Sequence, residues 1–436
     1  MKTKAQERDF TPDLFRSELI QIIDLGHKVC RLAKEIDWAW IAEEFDKLFP
    51  SSSGRPAKSA RLIAGLFMLK AIYPMSDKDL VSTWLENPYW QYFCGEQYFQ
   101  HCFPIDSSSM SKWRRRLKPE VLERLLEESI KVGIKTKVVK KRDLERVIVD
   151  TTVQEKAIAY PTDARLYHKA RMALVRLAKG HEVDLRQSYE RVGKHALFRS
   201  SNYARVKQFK RARKETRKLK TFLGCVYRDI NRKVSGNDVL QEVFEELLEN
   251  TNKLLRQKRN SKKKIYSMHA PEVECICKGK AAKRYEFGVK TSFATTHKSN
   301  FIVGATTLPG NPYDGHTLKQ ALDQVEGITG KRPNKCFVDR GYRGHGETIA
   351  EVLIARTKKK HLSRRLREAL RRRNAVEPII GHIKNDGRPG RNMLKGRHGD
   401  QIQAIMTAIG FNLRKILKHL ELFWLFFIRI FLMPNY

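Results

Sequence analysis

The stretch "VVKKRDLERVIVDTTV", residues 138–153, changes character halfway: a charged segment runs into the apolar triplet Val147 to Val149, which stops at Asp150. A continuous apolar run rich in β-branched residues fits a strand buried on both faces, as in parallel or mixed sheets. The pattern recurs in "KCFVD", where the run ends at Asp339. In open α/β sheets, sites form outside the carboxyl ends of the strands, so two such aspartates on neighbouring parallel strands would converge there. Either one alone also reads as a turn former or a helix cap.

Working outward, residues 1–135 carry apolar residues at three-to-four spacing, broken at Pro50, Pro74, Pro88 and Pro104, and predict a helical N-terminal DNA-binding domain. Within it, Asp106 to Ser109 can cap a helix that exposes Lys112, Arg114, Arg115 and Arg116, and a second helix starts after Pro119. Two short helices around a basic turn suit a DNA-docking unit of helix-turn-helix type, or else a solvated basic face.

Residues 162–261 predict a basic helical insertion. Phe209, Ala212, Thr216, Leu219, Leu223 and Val226 form one stripe, and Val239, Val243, Phe244, Leu247 and Leu254 a second, which together predict a helical hairpin. Of the sixteen residues in "RVKQFKRARKETRKLK" (205–220), nine are basic and one is acidic. This face, with Lys210, Arg211, Arg213 and Lys214, reads as a phosphate-tracking surface or a solvated coiled-coil face.

Strands return in "RYEFGVKTSFATTH" and "FIVGATTL", followed by the helix-like "HTLKQALDQVEGI", then "KCFVD" and "EVLIAR". The order predicts an α/β core with a mixed sheet over residues 142–161 and 262–390, and a C-terminal helical segment over 391–436. The apolar run from Leu422 to Met433, interrupted by Arg429, is about half the ~20 residues needed to span a bilayer. It reads as a buried terminal helix or a dimer contact, and no membrane association is expected.

With 86 Lys and Arg against 48 Asp and Glu, the chain carries a formal +38 on a 41% apolar composition. That excess favours a polyanionic partner through phosphate neutralisation, with nucleic acid leading. The seven scattered cysteines fit a reducing cytosol, and "MKTKAQERDF" has no apolar signal region. Cys275 and Cys277 lack paired zinc-knuckle spacing, and with no G-x-x-x-x-G-K-[ST] stretch, ATP dependence is not expected. Asp314 and His316 in "PYDGHTL" follow an apparent strand and could approach a site at its end, but turn and capping roles explain them equally well.

Carboxylates set against DNA phosphates make sense with a cation between them. Mg²⁺ takes carboxylate and phosphate oxygens, and a pair of ions can assist in-line phosphoryl displacement. Glu377 is the candidate third acid, the one acid before the closing Asp386 in "RRRNAVEPIIGHIKND" (371–386). On a helix, Arg373, Glu377 and Lys384 share one face to within roughly 40°. Arg373 and Glu377 also suit a surface ion pair. Pro378 predicts either a helix start with Glu377 in its first turn or a kink at 374–378.

Three blocks, "IVDTTVQEKAIAYPTDARL", "FVDRGYRGH" and "RRRNAVEPIIGHIKND", together with "DSSSMSKWRRRL" and "GDQIQAIMTAIGFNLRKIL", resemble the DDE transposases of bacterial insertion sequences, the IS5 group of the IS4-like superfamily. The resemblance implies an RNase H-like core with Asp150, Asp339 and Glu377 as the catalytic, metal-binding triad. It also implies two Mg²⁺ ions (Mn²⁺ as substitute), cleavage at transposon ends and transfer of the 3′-hydroxyl into target DNA. Inverted repeats and target DNA are the implied partners, a homodimer or larger assembly the implied state, and the bacterial cytoplasm, nucleoid-associated, the implied location. The family's glutamate block places a tyrosine, an arginine, the glutamate and a lysine in order; Arg373, Glu377 and Lys384 match, whereas Leu370 stands at the tyrosine position. Arg373 and Lys384 would then grip phosphates, with Tyr342 and Arg343 as DNA-end contacts or else packing or surface residues. The rival readings are an inactive or regulatory DNA-binding relative and a metal-dependent nuclease without strand transfer.

Overall fold

The computed structural model describes residues 16–47, 58–277, 284–355, 363–386 and 391–431. The chain forms two units: one comprises the residues up to Gln154, Lys290–Leu394 and those from His398 onward; the other is Glu155–Val289 with Lys395–Arg397. Pro50 and the end of the apolar tail, beyond residue 431, lie outside the described residues.

In the first unit, the N-terminal segment folds into α1 (Leu19–Ile22), α2 (Lys28–Glu35), α3 (Trp38–Asp46), α4 (Ala60–Ile72), α5 (Asp77–Glu86), α6 (Pro88–Phe93), α7 (Ser107–Arg116) and α8 (Pro119–Lys135). The expected cap is present, with Asp106 accepting the Ser108 N–H at 2.7 Å to open α7. Pro88 and Pro119 start α6 and α8, where a missing N–H costs nothing. The sequence "ARLIAGLFMLKAI" is apolar nearly all round, and α4 is buried accordingly.

The strands are β1 (Arg146–Glu155), β2 (Glu274–Cys277), β3 (Tyr285–Thr296), β4 (Ile302–Leu308), β5 (Lys335–Val338) and β6 (Glu351–Ile354). They run β4-β3-β1-β5-β6, with β2 antiparallel to the first residues of β3. The sheet is mixed: β3 and β4 are antiparallel, whereas β1 with β5 and β5 with β6 are parallel. In the β1–β5 register Ile148 stands opposite Phe337, which carries Asp150 and Asp339 to the same level two residues on.

Alternation along these strands sorts their residues between two apolar layers. Val147, Val149, Cys336 and Val338 enter the main core, which they share with α4, α8, α13 (Leu318–Thr329) and α16 (Gly396–Phe431). Ile148 and Phe337 face the other way, against Leu370 and Val376 of α14 (Arg364–Arg372) and α15 (Val376–Asp386). Between those helices Arg373–Ala375 tighten into a 3-10 turn, so the break falls at the start of the expected interval and Glu377 stands in the first turn of α15. Pro378 is tolerated there because first-turn N–H groups have no intrahelical acceptor.

In the second unit, residues 162–261 form α9 (Asp163–Gly180), α10 (Glu190–Arg205), α11 (Phe209–Val234) and α12 (Asp238–Arg256). The expected hairpin is α11 with α12, within a larger helical unit. Leu219, Leu223, Phe244 and Leu254 are buried as the stripes require, but Leu174, Val175 and Ala196 of two further helices close the same core. The stripes also end sooner than read, since Phe209 and Val239 at the helix starts are exposed. Strand β2, over "ECIC", was not foreseen.

Among the described residues no helix is long and apolar enough to cross a membrane. Instead α16 is bound to the core of its unit: Arg414 Nη1 donates to the carbonyls of Ala71 and Ile72 at the end of α4. A Cβ on Gly410 would lie 2.1 Å from the Ala71 carbonyl oxygen. Gly410→Ala is therefore expected to destabilise by about 3 kcal/mol, because two packed backbones must separate. A lowered urea midpoint with an unchanged slope checks this.

Candidate active site

The parallel β1–β5 register and strand alternation bring Asp150 and Asp339 to the face on which α14 and α15 lie. Leu370 and Val376 pack on Ile148 and Phe337 one alternation below the aspartates, which holds Arg373 and Glu377 over them. Leu370, at the family's tyrosine position, is thus a packing residue of this face. The helix is further fixed by His297 Nε2 at 2.9 Å from the Ala369 carbonyl, and by Arg372 Nε donating to the His297 carbonyl at 2.7 Å.

All three sequence-derived carboxylates converge on one guanidinium. Arg373 Nη2 donates to Asp150 Oδ2 at 2.9 Å and lies 3.9 Å from Asp339 Oδ2, while Nη1 lies 3.7 Å from Glu377 Oε1. The side chains of Arg373 and Asp150 are 11% and 14% exposed, against 41% for Asp339 and 68% for Glu377, so the site opens on the Glu377 side. Arg373 Nε is buried with no hydrogen bond among the described residues.

The expected surface pair between Arg373 and Glu377 is therefore one edge of a larger cluster. Arg373, read as a phosphate grip, is here the internal counter-ion of the three acids. Three carboxylates around one guanidinium leave an excess of two negative charges within a +38 chain. Hard carboxylate oxygens with residual negative charge have the donor chemistry of a Mg²⁺ or Mn²⁺ site. Among the described residues no group of three or more His, Cys, Asp or Glu side chains stands close enough to hold a metal ion as arranged. The donor set fits such a cation, with the guanidinium keeping the acids apart.

Tyr342 departs from its expected role as a DNA-end contact: it is fully buried, its phenol packed in the main core. Burial, then the charges of Asp150, Asp314 and Asp339, push the phenol well above its ordinary pKa. Arg343 next to it is exposed, and Lys384 on α15 is half-buried. In the N-terminal segment Lys112, Arg115 and Arg116 are exposed, but Arg114 is bound to Asp77 at 2.7 Å and is only 14% exposed. In the second unit Lys210, Arg211, Arg213 and Lys214 all face solvent on α11.

Sequence reasoning left Asp314 out of the site because a turn role explains it equally well. It lies beside Asp339 and accepts from Thr151 Oγ1 at 3.0 Å and from Lys290 Nζ at 3.1 Å. The available signal was weak, a second acid in a Pro-Tyr-Asp-Gly turn that turn chemistry alone explains.

Two family models match the chain: "Transposase domain (DUF772)" over residues 17–116 and "Transposase DDE domain" over residues 253–413. A protein of Rhizobium meliloti, described as "Uncharacterized protein ORF8 in nfe locus", is 49% identical over 197 residues, which is 45% of this chain and 95% of that protein. No solved structure matches. The chain belongs to the DDE-domain transposases. It is accordingly an enzyme whose substrate is DNA, and its DDE match includes the segments that carry Asp339 and Glu377.

Proposed function

We propose that this transposase cleaves a phosphodiester at each end of its element and transfers the freed 3′-hydroxyl into target DNA, as in the IS5 group. The observation that carries the reading is the convergence of Asp150, Asp339 and Glu377 around Arg373. The strand order β4-β3-β1-β5-β6, with an antiparallel β3–β4 pair and parallel β1, β5 and β6, supports an RNase H-like core.

In this reading Asp150, Asp339 and Glu377 hold divalent cations, Mg²⁺ or Mn²⁺. Bound there, such cations supply Lewis-acid activation of water or a 3′-hydroxyl and charge compensation for the phosphate. Asp150 and Asp339, fixed by the β1–β5 register, provide the rigid side of the site; Glu377, the most exposed acid, provides the side on which DNA enters. Arg373 balances the acids before DNA arrives, then turns part of its donor fork to a phosphate. The exposed cations Lys112, Arg115, Arg116, Lys210, Arg211, Arg213, Lys214 and Arg343, with Lys384, bind the DNA backbone. Two ends brought together imply a dimer or larger assembly.

The test incubates purified protein with labelled duplexes carrying the element's terminal inverted repeats and a target plasmid. Nicks exposing 3′-hydroxyl ends, joined products with Mg²⁺ or Mn²⁺, and neither with chelator are expected. Cutting without joining would reduce the enzyme to a nuclease, and no cutting with either metal would overturn the reading.

A further inference from the structure

We infer that Asp314 is a fourth acid of this site, holding a divalent cation together with Asp339. The inference rests on the cation-binding reading above.

Asp314 stands in a 3-10 turn following β4, on a segment separate from the three acids. Its Oδ1 is fixed by Thr151 Oγ1 at 3.0 Å and by Lys290 Nζ at 3.1 Å, and Lys290 is itself fixed by the Pro312 carbonyl at 2.7 Å. Thr151 follows Asp150 on β1 and faces the opposite way, so one strand orders both acids. The point that a Cβ on Gly341 would occupy is 3.0 Å from Asp314 Oδ2 and 3.0 Å from Asp339 Oδ1. Two oxygens each that close to one point are at most about 6 Å apart. A side chain at position 341 would crowd both oxygens.

Asp339 thus has two sides: Oδ2 is 3.9 Å from the Arg373 guanidinium, whereas Oδ1 accepts the Gly341 N–H at 2.9 Å and looks toward Asp314. Like charges this close repel unless a cation intervenes. Lys290 offsets Asp314 on the Oδ1 side alone. A second, independent feature points the same way. The Tyr342 hydroxyl is completely buried, makes no hydrogen bond among the described residues, and lies within electrostatic reach of Asp150, Asp314 and Asp339 alike. A structural ion pair between Lys290 and Asp314 accounts for neither the carboxylates on both sides of Gly341 nor the unpartnered buried phenol next to it.

The experiment titrates Mn²⁺ into the full-length protein without DNA and follows the free-ion paramagnetic resonance signal. The proteins are wild type, Asp314→Asn, Asp339→Asn and Lys290→Met, each first shown by circular dichroism to melt cooperatively. Asp314→Asn is expected to weaken the tightest Mn²⁺ binding at least tenfold, and Asp339→Asn at least as much. Lys290→Met is expected to bind as tightly as wild type or more so, since it removes a competing positive charge. If Asp314→Asn fails to fold, Lys290→Met/Asp314→Asn, which removes both charges of the pair, takes its place with the same expectation. Wild-type affinity in Asp314→Asn beside weakened binding in Asp339→Asn would overturn the inference and leave the three-acid site standing. Equal weakening by Lys290→Met and Asp314→Asn would also overturn it, reducing Asp314 to an ion-pair partner. Unchanged binding in Asp339→Asn would instead remove the cation reading beneath it.

Discussion

Asp150→Asn is expected to slow end cleavage at least a thousandfold, about 4 kcal/mol of transition-state stabilisation, while the protein still binds its DNA. The substitution conserves volume and an acceptor for Arg373 Nη2, so the 2.9 Å contact and the β1–β5 register that places it can survive. What it removes is one unit of negative charge from the least exposed of the three acids, at the rigid end of the site. A carboxamide is a poor ligand for a hard cation, and the remaining acids leave only one excess negative charge over the guanidinium. Binding to phosphates does not use this carboxylate and should hold or tighten slightly as repulsion falls. Single-turnover cleavage of labelled ends, read beside a gel-shift isotherm and a thermal melt, separates the outcomes. Cleavage within tenfold of wild type would remove Asp150 from the chemistry.

The strands and their aspartates were legible because burial on both faces leaves a mark on sequence: a β-branched run that stops abruptly at a charge. Glu377 was legible for a different reason, as a lone acid between Arg371–Arg373 and Lys384, where its neighbouring charges are all positive. The role of Arg373 was not. Sequence places it one helical turn from Glu377, which reads as a surface pair, and only strand alternation beneath α14 and α15 reveals that the same guanidinium reaches Asp150 and Asp339. Tyr342 stood open between a DNA-end contact and a packing residue, and the tight turn after Asp339 folds its ring into the main core. Asp314 followed a strand and was open to a place in the site, but its partners Thr151 and Lys290 are 163 and 24 residues away and left no local signal to favour that over a turn. The insertion was underestimated because stripe analysis counts faces within a helix and says nothing of the further helices that cover them.

Arg373→Ala should separate two quantities that usually fall together. Without the guanidinium, Asp150, Asp339 and Glu377 lose the cation that offsets them, and the metal-free protein is expected to lose about 2 kcal/mol of stability. That is below the ~3–5 kcal/mol typical of breaking a fully buried pair, because Asp339 and Glu377 are exposed enough to rehydrate. The same vacated charge makes the carboxylates a stronger cation trap, so Mn²⁺ affinity should rise severalfold and added Mn²⁺ should restore more of the melting temperature than in wild type. Cleavage should nevertheless fall by about a hundredfold, because the fork that would face a phosphate beside the metals is gone. Arg373→Lys should rescue stability in part and cleavage poorly, since one ammonium cannot span acids that Nη1 and Nη2 reach separately. A fall in Mn²⁺ affinity in Arg373→Ala would mean that the guanidinium assembles the carboxylates for the metal rather than holding its place. In that case activity and affinity would drop together in both variants.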